Sequence, residues 1–402
     1  IGNNGKFKKI SETSRDASLG KVYSRVTKLL GMKPWEHEYK VMGLAPYANK
    51  KYFEKLKKNV FENLIYLDKK KLCFRKKSIL SMNYCYDYLQ KNLLGERFDN
   101  ISGALQDFTE EIVVNLIKEA VKKTKISSVT LGGGVFMNVK VNSLISKIVG
   151  VKKLFIMPSS GDESLSMGAA LHCYYEKTQD KNLSQSKLNN LYFGRQYTNK
   201  NEKNAINKLI GKNKKYVIYE KNINVKAATL LNSGKVIGRC VNRSEWGARA
   251  LGNRSILSRP DNYLMVDKIN DMVKKRDFWM PFAPSILENY FNFFVKDNKK
   301  SKPYFMTQAY QTIKNSKSNK IIAACHLRDK TIRPQLVNKK ENYLYWDLIN
   351  KFRILSKIPA LLNTSFNLHG FPIVETPSDA IKVFTKSGID ALILNNYLIL
   401  KK

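Results

Sequence analysis

Apolar residues recur at helical spacing through residues 107–124. Phe108, Ile112, Leu116 and Ala120, with Val113, Ile117 and Val121, form one stripe and predict an amphipathic helix. A short strand, SSVTL, follows, then Gly132, Gly133 and Gly134, then a helix from Phe136. The pattern repeats at once. KLFIMP (153–158) reads as a strand, and residues 159–177 read as a helix with Ser160 and Glu163 spaced as a capping box. Gly168, Ala169 and Ala170 predict close packing of that helix. Residues 178–190 are polar and aperiodic, which predicts a linker. Beyond them YVIYE, KVIGRCV, IIAAC, IPALLN and ALILNNYLIL read as strands, with helices over 221–233, 262–274 and 377–387. The expectation is an α/β domain over 1–177, a linker over 178–190 and a second α/β domain over 191–402.

Length and composition narrow the class. The chain has 402 residues, and domains usually run to ~100–200 residues, which fits two. At 43% apolar it can build real cores, which excludes a disordered or collagenous chain. Apolar runs stay short of the ~18–20 residues a membrane helix needs. The five cysteines are scattered with no C-x-x-C pair, so neither a zinc module nor a disulfide framework is indicated, and a reducing, cytoplasmic setting is expected.

The net charge of +38 first suggests nucleic-acid binding. Of the 71 basic residues 57 are Lys, spread along the chain, which reads as compositional drift rather than a nucleic-acid surface. Arg behaves differently. Six of the 14 fall within 239–276: Arg239, Arg243, Arg249, Arg254, Arg259 and Arg276. A guanidinium is a planar fork suited to phosphate or carboxylate, so the cluster indicates an oxyanion site. A structural salt-bridge network is the alternative.

Four polar stretches lie between the strands of the second domain: 244–257, 273–286, 326–337 and 361–377. Basic side chains converging there would bind a polyanion and stabilise charge developing in phosphoryl or acyl transfer. The Gly132–Gly134 turn, between a strand and a helix, lets backbone N–H groups approach a phosphate. Asp162 sits at a strand-to-helix turn, where α/β proteins place chemistry. His37, His172, His326 and His369 are isolated, and neither a G-x-S-x-G elbow nor a P-loop is present.

Taken together these motifs resemble the NodU-type O-carbamoyltransferases, the family of the tobramycin and cephamycin carbamoyltransferases. The resemblance rests on E-Y-K-x-M-G-L-A-P-Y (Glu38 to Tyr47), a G-G-x-x-x-N turn (Gly133, Gly134, Asn138) and a G-D-x-x-x-x-x-G-A-A turn (Gly161, Asp162, Gly168 to Ala170). It continues in E-W-G-x-R-A-L-G-N-R-S-I (Glu245 to Ile256), K-x-R-D (Lys274 to Asp277), P-F-A-P (Pro281 to Pro284) and N-T-S-F-N (Asn363 to Asn367).

The resemblance implies the C-terminal part of an actin-like (ASKHA) ATPase-type domain followed by a YrdC-like twisted-sheet domain. The YrdC-like domain would make carbamoyl adenylate from carbamoyl phosphate and ATP. The actin-like domain would pass the carbamoyl group to an acceptor hydroxyl on a sugar or secondary metabolite. Arg249, Lys274, Arg276 and Arg333 would hold the anions. Arg254, Asn363, Thr364 and Ser365 would add substrate contacts, and Gly133, Gly134 and Asn138 would hold the adenylate. ATP would bring Mg2+, and Asp162 corresponds to a carboxylate ligand of the family's Fe2+. No membrane or nucleic-acid partner is implied, and a homodimer is one option. A threonylcarbamoyl adenylate synthase of tRNA modification and a basic nucleic-acid-binding protein are the rival readings.

Departures stand at Met280, where the family has Arg, at Lys330, where it has Gly, and at Phe371, where it has Glu. The family's first phosphate turn and H-x-x-x-H metal motif have no counterpart, and the first residue is Ile1. The expectation is therefore a fragment that lacks the N-terminal part of the family, with half of the transfer site and the iron site incomplete.

Overall fold

The computed structural model describes residues 1–3, 6–180, 188–211, 213–296, 302–313 and 316–402. The chain divides into two compact units, Ile1–Lys187 with Asn298–Ser301, and Leu188–Asp297 with Lys302–Lys402. Residues 181–187 of the expected linker lie outside the described residues.

The first unit begins with a small hairpin of β1 (Gly2–Asn3) and β2 (Lys6–Phe7), then α1 (Leu19–Leu29), α2 (Glu38–Leu44) and α3 (Lys50–Asn59). A second hairpin, β3 (Ile65–Asp68) with β4 (Cys73–Lys76), leads to α4 (Tyr86–Leu93) and the long α5 (Phe98–Thr124). Then come β5 (Ser128–Leu131), α6 (Val139–Ser146), β6 (Lys153–Ile156) and α7 (Leu165–Thr178), with β5 and β6 paired in parallel. The predicted stripe holds in large part: Phe108, Ile112 and Val113 are buried in the core of this unit, with Ile117 and Val121 packed against it, while Leu116 and Ala120 are half-buried outside that core. A Cβ on Gly103 would overlap Ala48, so that glycine lets α5 lie directly on the turn that ends the E-Y-K-x-M-G-L-A-P-Y motif.

The last helix departs from expectation. Ser160 Oγ donates to Met157 O, and the hydroxyl that meets Glu163 belongs to Ser159, so no capping box forms. A turn at Asp162–Ser164 displaces the helix start from the site that the spacing suggested. Nor does the small-residue face pack closely within its unit: no side chain of α7 is buried, and a Cβ on Gly168 would meet nothing within 4 Å.

The second unit contains α8 (Asn199–Leu209), β7 (Tyr216–Tyr219), α9 (Ile223–Asn232), β8 (Ile237–Cys240), β9 (Arg254–Ser258) and α10 (Leu264–Ile269). It continues with β10 (Ala283–Leu287), β11 (Tyr310–Gln311), α11 (Ser316–Asn319), β12 (Thr331–Ile332), β13 (Gln335–Val337) and α12 (Tyr343–Ser356). It ends with β14 (Ala360–Ser365), α13 (Pro377–Lys386), β15 (Ala391–Leu394) and β16 (Tyr397–Lys401). Eight strands form one mixed sheet in the order β13-β10-β14-β9-β8-β15-β16-β7. Apolar cores lie on its two faces, one containing α9 and α12, the other α8, α10 and α13. A mixed α/β architecture is thus present.

IIAAC is not a strand but a 3-10 turn at Ile322–Ala324. Ile321 and Cys325 enter one core while Ala323 and Ala324 enter the other, so a short apolar run is buried from both sides without alternating. Periodicity cannot separate these cases over five residues. Among the described residues no helix is long and apolar enough to cross a membrane.

Candidate active site

The register of the large sheet gathers the polar stretches at one end. β14 runs antiparallel to both neighbours, with Ala283 opposite Asn363 and Ser255 opposite Ser365. The C-terminal end of β14 therefore meets the N-terminal ends of β10 and β9. β13 runs parallel to β10 with Gln335 opposite Ser285, and Arg333 lies two residues before Gln335.

Asn363 is the hub of this end. Its Nδ2 donates to Ser285 Oγ at 2.9 Å, to Ala250 O at 3.1 Å and to Gln335 Oε1 at 3.2 Å. Ser285 Oγ donates to Gln335 Oε1, and Gln335 Nε2 donates to Leu251 O, each at 2.7 Å. Three strands, β10, β13 and β14, and the loop carrying Arg249 are thereby tied to one buried amide network. Arg249 and Arg333 are both half-buried in loops leading into this end.

Lys274 lies beside the next two residues of β14. It is 3% exposed, and its Nζ donates to Ser365 Oγ at 3.0 Å and Asn367 Oδ1 at 2.5 Å. Arg276 Nη2 donates to Thr364 Oγ1 at 2.9 Å, and its guanidinium lies 4.8 Å from the Phe282 ring centre. Burial, reinforced by the Arg276 charge, pushes the Lys274 ammonium well below its ordinary value. Among the described residues no carboxylate pairs with Lys274. A local irregularity sets this geometry: α10 does not run on to 274 as an α-helix but widens into a π turn over Asn270–Lys274, closed by Lys275 at φ 46°. Such insertions are frequent at functional sites.

Arg254 is placed differently. It is 1% exposed and its guanidinium donates to the carbonyls of Val241, Asn242, Asn253 and Glu375. It bonds main chain where a substrate contact was expected. Arg239 is also 1% exposed and donates to Gly252 O and Asn253 Oδ1, and burial lowers its pKa to about 10. Arg259 forms a salt bridge with Asp261 at 2.7 Å. The Arg concentration thus divides, with part of it structural and part at the strand end.

Two departures from the family pattern have local explanations. Lys330 takes φ 57°, the left-handed region natural to Gly, and its carbonyl accepts from Thr312 Oγ1 at 2.8 Å. Phe371 is exposed, and its carbonyl accepts from Asn367 Nδ2 at 2.7 Å, so its backbone supports the Lys274 partner whatever the side chain. Met280 is half-buried, with its N–H donating to Asp277 O.

In the first unit Gly133 holds φ 98°, and a Cβ at Gly132, Gly133 or Gly134 would meet nothing within 4 Å. The turn is open, as a backbone approach by a ligand requires. Asn138 caps α6, its Oδ1 accepting from Lys140 N and Val141 N, while its Nδ2 donates to Gln106 Oε1 at 2.9 Å. Tyr23 and Glu110 bond the same Gln106, so Asn138 is held by a buried chain. Asp162 is exposed. Among the described residues no group of three or more His, Cys, Asp or Glu side chains could hold a metal ion. These donors do not fit a tight iron site, which needs several converging ligands.

Gln335, Ser285 and Asn367 were not singled out from sequence as site residues. The readable signal was a polar residue inside an apolar strand, as in APSIL.

Family models complete the assignment: the carbamoyltransferase C-terminus matches residues 228–401 and the carbamoyltransferase N-terminus matches residues 1–171. The chain belongs to the carbamoyltransferase family. The match over residues 1–171 corrects the expectation of a fragment lacking the family's N-terminal part: both family parts are represented, and half a transfer site is not to be subtracted on that ground. The chain is 35% identical over its whole length to the uncharacterized protein MJ1051 of Methanocaldococcus jannaschii, spanning 76% of it. It is 32% identical to the nodulation protein NolNO of Sinorhizobium fredii across all of this chain and 58% of that one. Against the nodulation protein NolO of Bradyrhizobium diazoefficiens it is 32% identical, over 96% of this chain and 69% of the relative. Membership supports carbamoyl transfer as the general activity.

Proposed function

We propose that the chain is an ATP-dependent O-carbamoyltransferase that works through carbamoyl adenylate. The C-terminal region, 191–402, is read as the YrdC-like adenylate-forming domain, and 1–177 as the actin-like transfer domain.

The observation that carries this reading is Lys274. A buried ammonium beside a guanidinium, with a hydroxyl and an amide oxygen as its only partners among the described residues, is a costly arrangement until an anion arrives. Carbamoyl phosphate and the ATP phosphates supply that anion. Arg276, Arg249 and Arg333 would add bidentate contacts, and Thr364 and Ser365 neutral ones. ATP would carry Mg2+ on its phosphates as part of the substrate.

The chemistry balances in three steps. Water cleaves carbamoyl phosphate to carbamate and phosphate. A carbamate oxygen attacks the α-phosphorus of ATP and pyrophosphate leaves, with the cationic cluster stabilising the developing charge. An acceptor hydroxyl attacks the carbamoyl carbon, loses its proton, and AMP leaves. The acceptor is a hydroxyl of a glycan or small metabolite, and the open Gly133–Gly134 turn suits the adenylate phosphate.

The test is product analysis with the purified chain. Phosphate and pyrophosphate should be released in equal amounts only when carbamoyl phosphate and ATP are both present. Pyrophosphate release that ignores carbamoyl phosphate would contradict the reading.

A further inference from the structure

Glu245 opens the E-W-G-x-R-A-L-G-N-R-S-I motif, yet the anion contacts proposed above do not use it. It lies in the connection between β8 and the antiparallel β9, residues 241–253, which contains neither helix nor strand. Hairpin connections usually run to ~2–5 residues, and a connection as long as this one is commonly functional.

Glu245 closes that connection on itself. Its Oε1 accepts from Leu251 N and Asn253 N at 2.7 Å each and from Arg254 N at 3.3 Å. Gly252, between the first two donors, holds φ 112°, a left-handed value that lets neighbouring N–H groups turn toward one point. The carboxylate fills an anion-binding nest made by the chain's own backbone, and charge-assisted bonds of this kind are roughly twice as strong as neutral ones. Arg249 lies inside the closed segment, half-buried, after Gly247 and the exposed Ala248. At the other end of the segment Trp246 N donates to Leu191 O at 2.7 Å.

The closure reaches the sheet end through one peptide unit. Leu251 N–H donates to Glu245 Oε1, while Ala250 C=O, the other half of the same peptide, accepts from Asn363 Nδ2 at 3.1 Å. A peptide is planar, so a unit gripped from both sides cannot rotate without breaking one of the two bonds. One residue on, Leu251 O accepts from Gln335 Nε2 at 2.7 Å and from Tyr192 Oη at 3.1 Å. Arg249 immediately precedes this held peptide, so Glu245 and the Asn363 hub together set the direction in which its backbone leaves the sheet end.

We infer that Glu245 is a positioning residue: its carboxylate fixes the Ala250–Leu251 peptide so that Arg249 presents its guanidinium to the substrate anion. A carboxylate in direct contact would repel that anion, so its contribution passes through the backbone. The inference rests on Arg249 binding the anion, as in the proposed function, and adds the residue on which that binding depends.

The test is a double-mutant cycle on the whole chain, with Glu245→Ala and Arg249→Met made singly and together, read as carbamoyl phosphate affinity in calorimetric titrations. Circular dichroism and urea unfolding establish that each variant folds. Arg249→Met should weaken binding about 10- to 150-fold, and Glu245→Ala about tenfold or more. In the Arg249→Met background Glu245→Ala should cost less than about twofold further, because the side chain it positions is gone. A carboxylate that served the fold alone would lower unfolding stability without this coupling. Wild-type affinity in folded Glu245→Ala, or losses that multiply in the double variant, would overturn the positioning role while leaving Arg249 in the anion site. If Glu245→Ala does not fold, Glu245→Asp, which keeps the charge and falls one methylene short, takes its place with the same expectation. If neither folds, the carboxylate is a structural anchor and the inference is overturned. A wild type that does not bind carbamoyl phosphate, or an Arg249→Met variant that binds it as the wild type does, would instead contradict the proposed function itself, and this inference with it.

Discussion

Lys274 and Arg254 are both basic and both buried, in the neighbouring polar stretches 273–286 and 244–257, yet their partners differ. Arg254 satisfies four carbonyls, so Arg254→Met should strand them. The expected loss is about 2–4 kcal/mol in urea unfolding, since each unsatisfied buried group costs ~1–3 kcal/mol and the loop relaxes in part. Lys274→Met removes a buried charge without a carboxylate partner and should keep or raise stability while abolishing phosphate binding. If instead Lys274→Met unfolds the protein, the ammonium is a structural anchor. The pH dependence has a definite sign. Lys274 has a folded-state pKa below its unfolded one, so between those two values the unfolded chain holds more protons, and stability rises with pH. Lys274→Met should flatten that rise in unfolding curves taken across the alkaline range. An anion bound beside Lys274 restores the charged form. In that same window phosphate binding should therefore take up a proton, visible as a calorimetric enthalpy that changes with buffer ionisation heat. Arg276→Lys should weaken carbamoyl phosphate binding about 10- to 150-fold, the equivalent of ~1.5–3 kcal/mol for one charge-assisted contact, although charge is kept. Unchanged affinity would remove Arg276 from the site.

Elements decide where such residues meet. Gly252 takes φ 112°, and a Cβ there would overlap the Tyr345 ring on α12. The glycine of the A-L-G-N-R-S-I motif thus lets a helix press against the loop that carries Arg249. Gly252→Ala should cost about 2–4 kcal/mol, combining backbone strain of ~1–3 kcal/mol with overpacking, and thermal unfolding reads the result. A variant as stable as wild type would mean that the loop has another packing. Much of this level was legible in the sequence. Periodicity located α5, the paired strands β5 and β6 and most strands of the large sheet, because their apolar faces are buried on one side or two. The motifs grouped Lys274, Arg276 and Asn363–Ser365, and Lys274 and Arg276 hydrogen-bond Ser365 and Thr364 at the end of β14. Other features were not legible for specific reasons. The IIAAC turn is apolar because two cores meet there, and composition alone reads that as a strand. The π turn at Asn270–Lys274 leaves no pattern distinct from an ordinary helix end. Arg254 looked like a ligand contact because nothing in a sequence separates a guanidinium that meets carbonyls from one that meets phosphate.

Across the whole molecule, charge supplies background and geometry supplies the site. The Lys excess gives +38 along the chain, whereas the distinctive feature is the buried Lys274 beside Arg276 at one end of an eight-stranded sheet. Both parts of the carbamoyltransferase family are represented, residues 1–171 and 228–401, and the central claim concerns what the second part does. Adenylate formation is reversible before any acceptor is needed, so isotope exchange from labelled pyrophosphate into ATP isolates that step. With the purified chain, exchange should require carbamoyl phosphate and should fall at least tenfold, a loss of ~1.4 kcal/mol or more in transition-state stabilisation, in Arg276→Met and Lys274→Met variants that remain folded. Exchange that proceeds equally well in those variants, or no exchange by a folded wild-type chain supplied with both substrates, would contradict the assignment of this strand end as the site where carbamoyl adenylate is made.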